Sequence, residues 1–293
     1  MSQEDPHHHE ERSLRLALGL TAAYCVCEIA GGYLTNSLAL LSDAAHMFTD
    51  VAALGLSLFA ASMARRPATD RKSYGYHRAE ILAALANGVA LWLVVAVIAV
   101  SAYERLILPV AVHAEGMLGV ALVGLVVNVY VALILSGAME RSLNVRGAFL
   151  HVVSDLLGSI GAAAAGLGMM LTGLTNIDAI AAIAIGCLIL FSSWGLVREA
   201  VDVLMESVPG HIDLDRLRVD LGSVPGALAV HDLHVWSITT GQHALSAHAV
   251  IAEDAVSDEV LAAMTSVLAQ RHGITHVTIQ IERASRAECE ALH

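Results

Sequence analysis

The chain has 293 residues, of which 56% are apolar and only 15% charged, and its mean hydropathy of +0.65 lies far above that of an ordinary soluble domain. A net charge of −12 argues against a nucleic-acid partner and is compatible with attracting divalent cations. This composition is that of an α-helical membrane protein.

The N-terminal stretch MSQEDPHHHEERS is polar and acidic, with no basic leader ahead of the first apolar run, so that run is expected to remain as a span. Residues 1–12 read as a mobile, histidine-containing tail whose His7, His8 and His9 form a short chelating run. Apolar stretches then predict six spans, roughly 14–34, 38–64, 80–108, 114–139, 147–172 and 177–204, each near the length a bilayer requires. Basic residues cluster before the first span (Arg12, Arg15), in the second connection (Arg65, Arg66, Arg71, Lys72, Arg78), in the fourth (Arg141, Arg146) and near the end of the sixth (Arg198). The first, third and fifth connections have none, and Arg105 ends the third span, where it is expected to reach the interface beside Glu104. Both termini are therefore expected in the cytoplasm.

Cys25, Cys27 and Cys187 fall in apolar segments and Cys289 in the tail, without a CxxC pair, so they read as packing residues. After Pro209 the chain turns polar, with twelve acidic against five basic residues from Glu206 onward. DLDRLRVDLGSV predicts a short amphipathic helix, ALAVHDLHVWSI and HALSAHAVIAE two strands joined by TTGQ, VSDEVLAAMTSVLAQRH a second helix and ITHVTIQIE a last strand. The order is αββαβ. The expected division is a tail over 1–12, a membrane domain over 13–207 and a small α+β domain over 208–293.

Ionisable groups inside apolar spans are the strongest functional signal. Each costs roughly 2.5–3.5 kcal/mol at the bilayer centre on insertion scales, so it persists where it has a partner and a task. In LSDAAHMFTD, His46 and Asp50 stand one turn apart on one face of the second span, with Asp43 one turn earlier. The fifth span repeats the pair in HVVSDLLGS as His151 and Asp155. Two imidazoles and two carboxylates suit a tetrahedral divalent ion of the zinc type, with the carboxylates balancing its charge. Small residues from Gly158 to Gly168 crowd the same span and allow close helix approach. Asn128 reads as a helix–helix hydrogen bond, and Asp43 as a structural or orienting group.

LSDAAHMFTD, YGYHRAEILAALAN, HVVSDLLGS and HDLHVW together resemble the zinc-type cation diffusion facilitators, above all the bacterial cobalt-zinc-cadmium resistance subgroup and its vesicular zinc-transporter relatives, in the family's order and over nearly the whole chain after residue 12. The resemblance implies a six-span homodimer in the inner (plasma) membrane with a metallochaperone-like cytoplasmic domain. It implies export of Zn2+, with Co2+ or Cd2+ as alternative substrates, in exchange for protons by alternating access. It carries the transport site onto His46, Asp50, His151 and Asp155, and a charge pair at the hinge between protomers onto Arg78 and Glu206. It further carries a zinc site of the cytoplasmic domain onto His231, His248 and Glu282. A peripheral metal site of some bacterial members is not expected, because Lys72 and Tyr76 stand where histidines would be needed, and the histidine-rich fourth connection of vesicular members is missing. Two rival readings use the same residues: an intramembrane zinc-dependent hydrolase, for which no HExxH or open coordination position is present, and a membrane-anchored metal sensor. No catalytic residue is expected in the transporter.

Overall fold

The computed structural model describes residues 6–136, 143–239 and 241–283, with side chains from residue 16 onward except at 54, 61, 143–148 and 150. The side chains of His7, His8, His9, Arg12, Arg15, Arg141, Arg146 and Cys289 lie outside the described residues. Long helices come first: α1 (Pro6–Thr35), α2 (Leu38–Ala64), α3 (Ala79–Ile107), α4 (Ala114–Ser136), α5 (Leu143–Thr172) and α6 (Asn176–Leu204). All six are long and apolar enough to cross a bilayer. Then follow α7 (Leu214–Gly222), β1 (Ala227–Thr239), β2 (Gln242–Ile251), α8 (Ser257–His272) and β3 (His276–Arg283), the αββαβ order read from the sequence.

The chain divides into two units. The first comprises Met1–Leu56 and Ala86–Gly195, and the second Ser57–Leu85 and Leu196–His293. In the first, Leu91, Val95 and Ile98 of α3, Met117 and Ala121 of α4, Ala162 and Ala165 of α5 and Ala182, Ile185 and Ile189 of α6 bury one another. Asn128 Nδ2 donates to Ser159 Oγ at 3.1 Å, joining α4 to α5 as the sequence suggested. A Cβ on Gly166 would stand 3.2 Å from the Leu118 backbone, so the same helices favour glycine at this close approach.

The start of α2 is capped from α6. Asp178, 1% exposed, accepts from Ser37 Oγ at 2.6 Å, Leu38 N at 2.7 Å and Ala39 N at 3.1 Å. The carboxylate thereby satisfies first-turn amides that have no partner within their own helix. Arg105 Nη1 donates to Asp178 Oδ2 at 3.2 Å and to Asn36 O at 2.7 Å. This corrects the sequence expectation for Arg105: instead of reaching outward beside Glu104, it turns inward to a buried carboxylate. Asn36, in the left-handed region at φ 53, closes the turn by donating from Nδ2 to Ala111 O at 3.0 Å.

In the second unit β1 pairs antiparallel with β2, and β2 pairs parallel with β3. The parallel pair needs a crossover, which α8 supplies. Leu217 and Leu221 of α7, Leu245 and Ile251 of β2, Met264 and Leu268 of α8 and Ile274 form the buried core of this α+β layer. Asp213 caps α7, its side chain accepting from Asp215 N and Arg216 N. Arg271 Nη1 and His272 Nε2 clasp Asp220 at 2.9 and 3.0 Å, fastening α8 to α7 and holding the Asp220 carboxyl below its ordinary range.

Candidate metal centres

Both His-x-x-x-Asp pairs lie on helices of the first unit, and α2 and α5 bring them face to face. Asp50 Oδ2 stands 3.6 Å from His46 Nδ1 and 3.6 Å from His151 Nε2. His151 Nε2 is in turn 3.7 Å from Asp155 Oδ2. The two imidazoles meet edge to face with centroids 6.2 Å apart. Separations of 3.6–3.7 Å are too long for hydrogen bonds. For these three pairs they are close to one edge length of a tetrahedron of ligand atoms around a zinc-type ion, about 3.3–3.6 Å for bonds of about 2.0–2.2 Å. His46 Nδ1, Asp50 Oδ2 and both Asp155 oxygens have no hydrogen-bond partner. Donor atoms left bare in the interior are expected where a cation supplies the missing partner.

Exposure is graded across the four. The Asp155 side chain is 1% exposed and that of His151 43%. At Gly158, one turn beyond Asp155, a Cβ would lie 2.5 Å from Asp43 Oδ1. Glycine is what lets α5 approach α2 here.

The second cluster is built by strand register. His231 on β1 lies directly opposite His248 on β2, so their side chains share a face, and their rings are 5.2 Å apart. Glu282, paired with Val250 in the parallel ladder, reaches diagonally to both: Oε1 is 2.8 Å from His248 Nδ1 and Oε2 is 3.2 Å from His231 Nε2. One ligand atom from each of the three lies within 4.8 Å of the other two. Beside it the ladder slips between His231 and His234, with Asp232 in the left-handed region at φ 49. This bulge turns Asp232 toward His234, 2.8 Å away, and leaves it 3.7 Å from His248 Nε2, beyond hydrogen-bonding distance. The hydrogen bond to His234 keeps the Asp232 carboxyl below its usual range.

Burial pushes the Glu282 carboxyl up, but the hydrogen bonds to His231 and His248 outweigh it and leave the group below its ordinary value.

Arg78 Nη2 and Glu206 Oε1 lie 2.9 Å apart, both partly exposed, in the second unit. Their neighbourhood also holds a hydrogen bond of 3.2 Å from Thr239 Oγ1 to Glu80 Oε2. Lys72 sits over the Tyr76 ring, 4.7 Å from its centroid.

The sequence reading overlooked Glu28. This residue of α1 is fully buried, and its Oε1 accepts from Tyr24 Oη at 2.9 Å. The signal was a single acidic residue in the apolar run AAYCVCEIAGG, passed over because it has no neighbour at helical spacing that repeats elsewhere.

Two family models match the chain in sequence order: the cation efflux transmembrane domain over residues 14–205 and the cytoplasmic domain of cation efflux proteins over residues 209–284. Among curated relatives, the cation efflux system protein CzcD of Alcaligenes sp. (strain CT14) is 42% identical over 283 residues, covering 96% of this chain and 89% of the relative. A cadmium, cobalt and zinc/H(+)-K(+) antiporter of Bacillus velezensis is 41% identical over 288 residues, covering 95% and 92%. The zinc transporter ZitB of Escherichia coli K12 is 37% identical over 279 residues, covering 94% and 89%.

Proposed function

The chain belongs to the cation efflux family, and from that premise we propose that it exports zinc from the cytoplasm in exchange for protons, with cobalt and cadmium as further substrates. It is a secondary transporter and not an enzyme. The reading rests on one observation: α2 and α5 bring Asp50 Oδ2 within 3.6 Å of both His46 Nδ1 and His151 Nε2, and His151 Nε2 within 3.7 Å of Asp155 Oδ2. Two nitrogens and two carboxylate oxygens favour zinc over magnesium or manganese, which take oxygen shells.

Exchange follows from the ligands themselves. A histidine binds metal only when neutral and an aspartate only when ionised, so protons and zinc compete for the same four groups. With the ion gone, close carboxylates in a low-dielectric interior favour taking up protons. A cycle then needs only that the cytoplasm-facing state prefer zinc and the outward-facing state prefer protons.

In this reading residues 13–207 form the membrane domain and 208–293 the cytoplasmic one, in a homodimer of the inner membrane with both termini inside. Arg78 and Glu206 form the hinge pair, and His231, His248 and Glu282 hold a further zinc ion. The test is zinc flux in liposomes carrying the purified full-length protein. An acidic lumen is expected to accelerate zinc uptake, and flux indifferent to the pH gradient would remove proton exchange from the proposal.

A further inference from the structure

Beside the metal quartet, α1, α2, α4 and α5 enclose a second group of polar side chains that no metal-ligand reading uses. Glu28 is fully buried and Asp43 2% exposed, and their carboxyl groups meet within hydrogen-bonding reach. Glu28 Oε2, Asp43 Oδ2 and Asn128 Oδ1 are all without a donor. Tyr24 donates to Glu28 Oε1. Ser159, which takes the Asn128 amide, lies against the same tyrosine hydroxyl. Among the described residues, the other titratable groups that act on the pair are Cys25 on α1 and Asp155 on α5, and neither brings positive charge. Space for this cluster depends on two glycines: Gly158 abuts Asp43, and Gly124 abuts the Tyr24 hydroxyl.

Two facing carboxylates in a dry interior repel, and each carries a large desolvation cost. One proton converts that repulsion into a short, charge-assisted O–H···O bond, leaving a single negative charge for the Tyr24 hydroxyl to stabilise.

We propose that Glu28 and Asp43 form a proton-binding site separate from the four metal ligands, holding one proton between the two carboxyl groups and weakening divalent-metal binding at the quartet when it is loaded. The proposal deepens the zinc/proton exchange reading and rests on it. The proton adds to a carboxylate oxygen and leaves by the same bond, so no co-reactant is involved. Asp43 stands one turn before His46 on α2, and its charge acts on Asp155. Discharging the pair removes negative potential from the metal site, and by linkage zinc binding expels the proton in return.

The experiment uses the full-length protein in liposomes, carrying His231→Ala and His248→Ala to silence the cytoplasmic site. Zinc affinity is measured against pH with and without Glu28→Gln. The amide keeps the shape of the acid and removes the proton site. Zinc binding is expected to persist, while the slope of log Kd against pH falls by about one proton, about tenfold per pH unit. An unchanged slope overturns the proposal, as does a variant that keeps its slope but loses sensitivity to potassium, which would make the pair a site for a monovalent cation. Asp43→Asn is the second variant, with the same expectation. Infrared difference spectra give a second reading: a protonated carboxyl band at neutral pH that zinc addition discharges is expected in the unsubstituted protein and is expected to weaken in Glu28→Gln, and a band that Glu28→Gln leaves unchanged also overturns the proposal. Flux indifferent to a pH gradient would instead sink the exchange reading, leaving the binding slope to be judged on its own.

Discussion

Asp155→Ala is expected to lower zinc flux by at least about 100-fold, because losing a charged ligand exceeds the 10–100-fold that loss of an orienting partner typically costs. Of the four ligands it is the most enclosed, with a side chain only 1% exposed, so water cannot readily take its place. Its removal also strips one of the two negative charges that offset a divalent ion in a low-dielectric site. His151, 3.7 Å away, loses its neighbour at the same time. Asp155→Asn, which keeps the shape and discards the charge, is expected to fall nearly as far, and normal flux through it would show that the carboxylate charge does not hold the ion. Zinc binding proposed for His231, His248 and Glu282 is expected to stay intact in both variants, which separates loss of transport from loss of fold.

The second large effect concerns the fold itself. Asp178→Ala removes the acceptor for three donors at the start of α2 and the carboxylate partner of Arg105. Breaking a buried ion pair from one side costs about 3–5 kcal/mol, because the remaining charge keeps its desolvation penalty without its partner. Arg105 retains only the oxygens of Asn36, at 2.7 and 3.1 Å. Thermal unfolding of the detergent-solubilised protein should therefore shift markedly downward. Asp178→Asn, still able to accept from the Ser37 hydroxyl or an α2 amide, should lie between, and a melting temperature unchanged by Asp178→Ala would show that α2 does not depend on this cap.

The spans were legible in the sequence because bilayer thickness imposes a length that composition cannot disguise. The quartet was legible because a repeated i, i+4 pair in two separate spans fixes which side chains share a helix face before any packing is known. Glu28 and Asp178 were not, since each is a lone acid whose partners come from distant segments: Asp43 on the next helix for one, and Ser37 and Arg105 for the other. Arg105 was misjudged for the same reason. Its near neighbour Glu104 is visible in the sequence, whereas the carboxylate it pairs with is placed only by helix packing. In the cytoplasmic domain the strand order was readable, but the slip between His231 and His234 was not, because bulges depend on the partner strand. That slip aims Asp232 at His234, an acidic partner the motif HDLH alone leaves unassigned.

Zinc K-edge X-ray absorption on the membrane-reconstituted protein, with His7, His8, His9, His231 and His248 replaced by alanine to isolate the intramembrane ion, tests the central claim most directly. Four-coordinate zinc with two imidazole nitrogens and two oxygens at about 2.0–2.2 Å is the predicted result, reduced to a single imidazole by His46→Ala. A shell of oxygens alone, or one unaltered by that substitution, would contradict it.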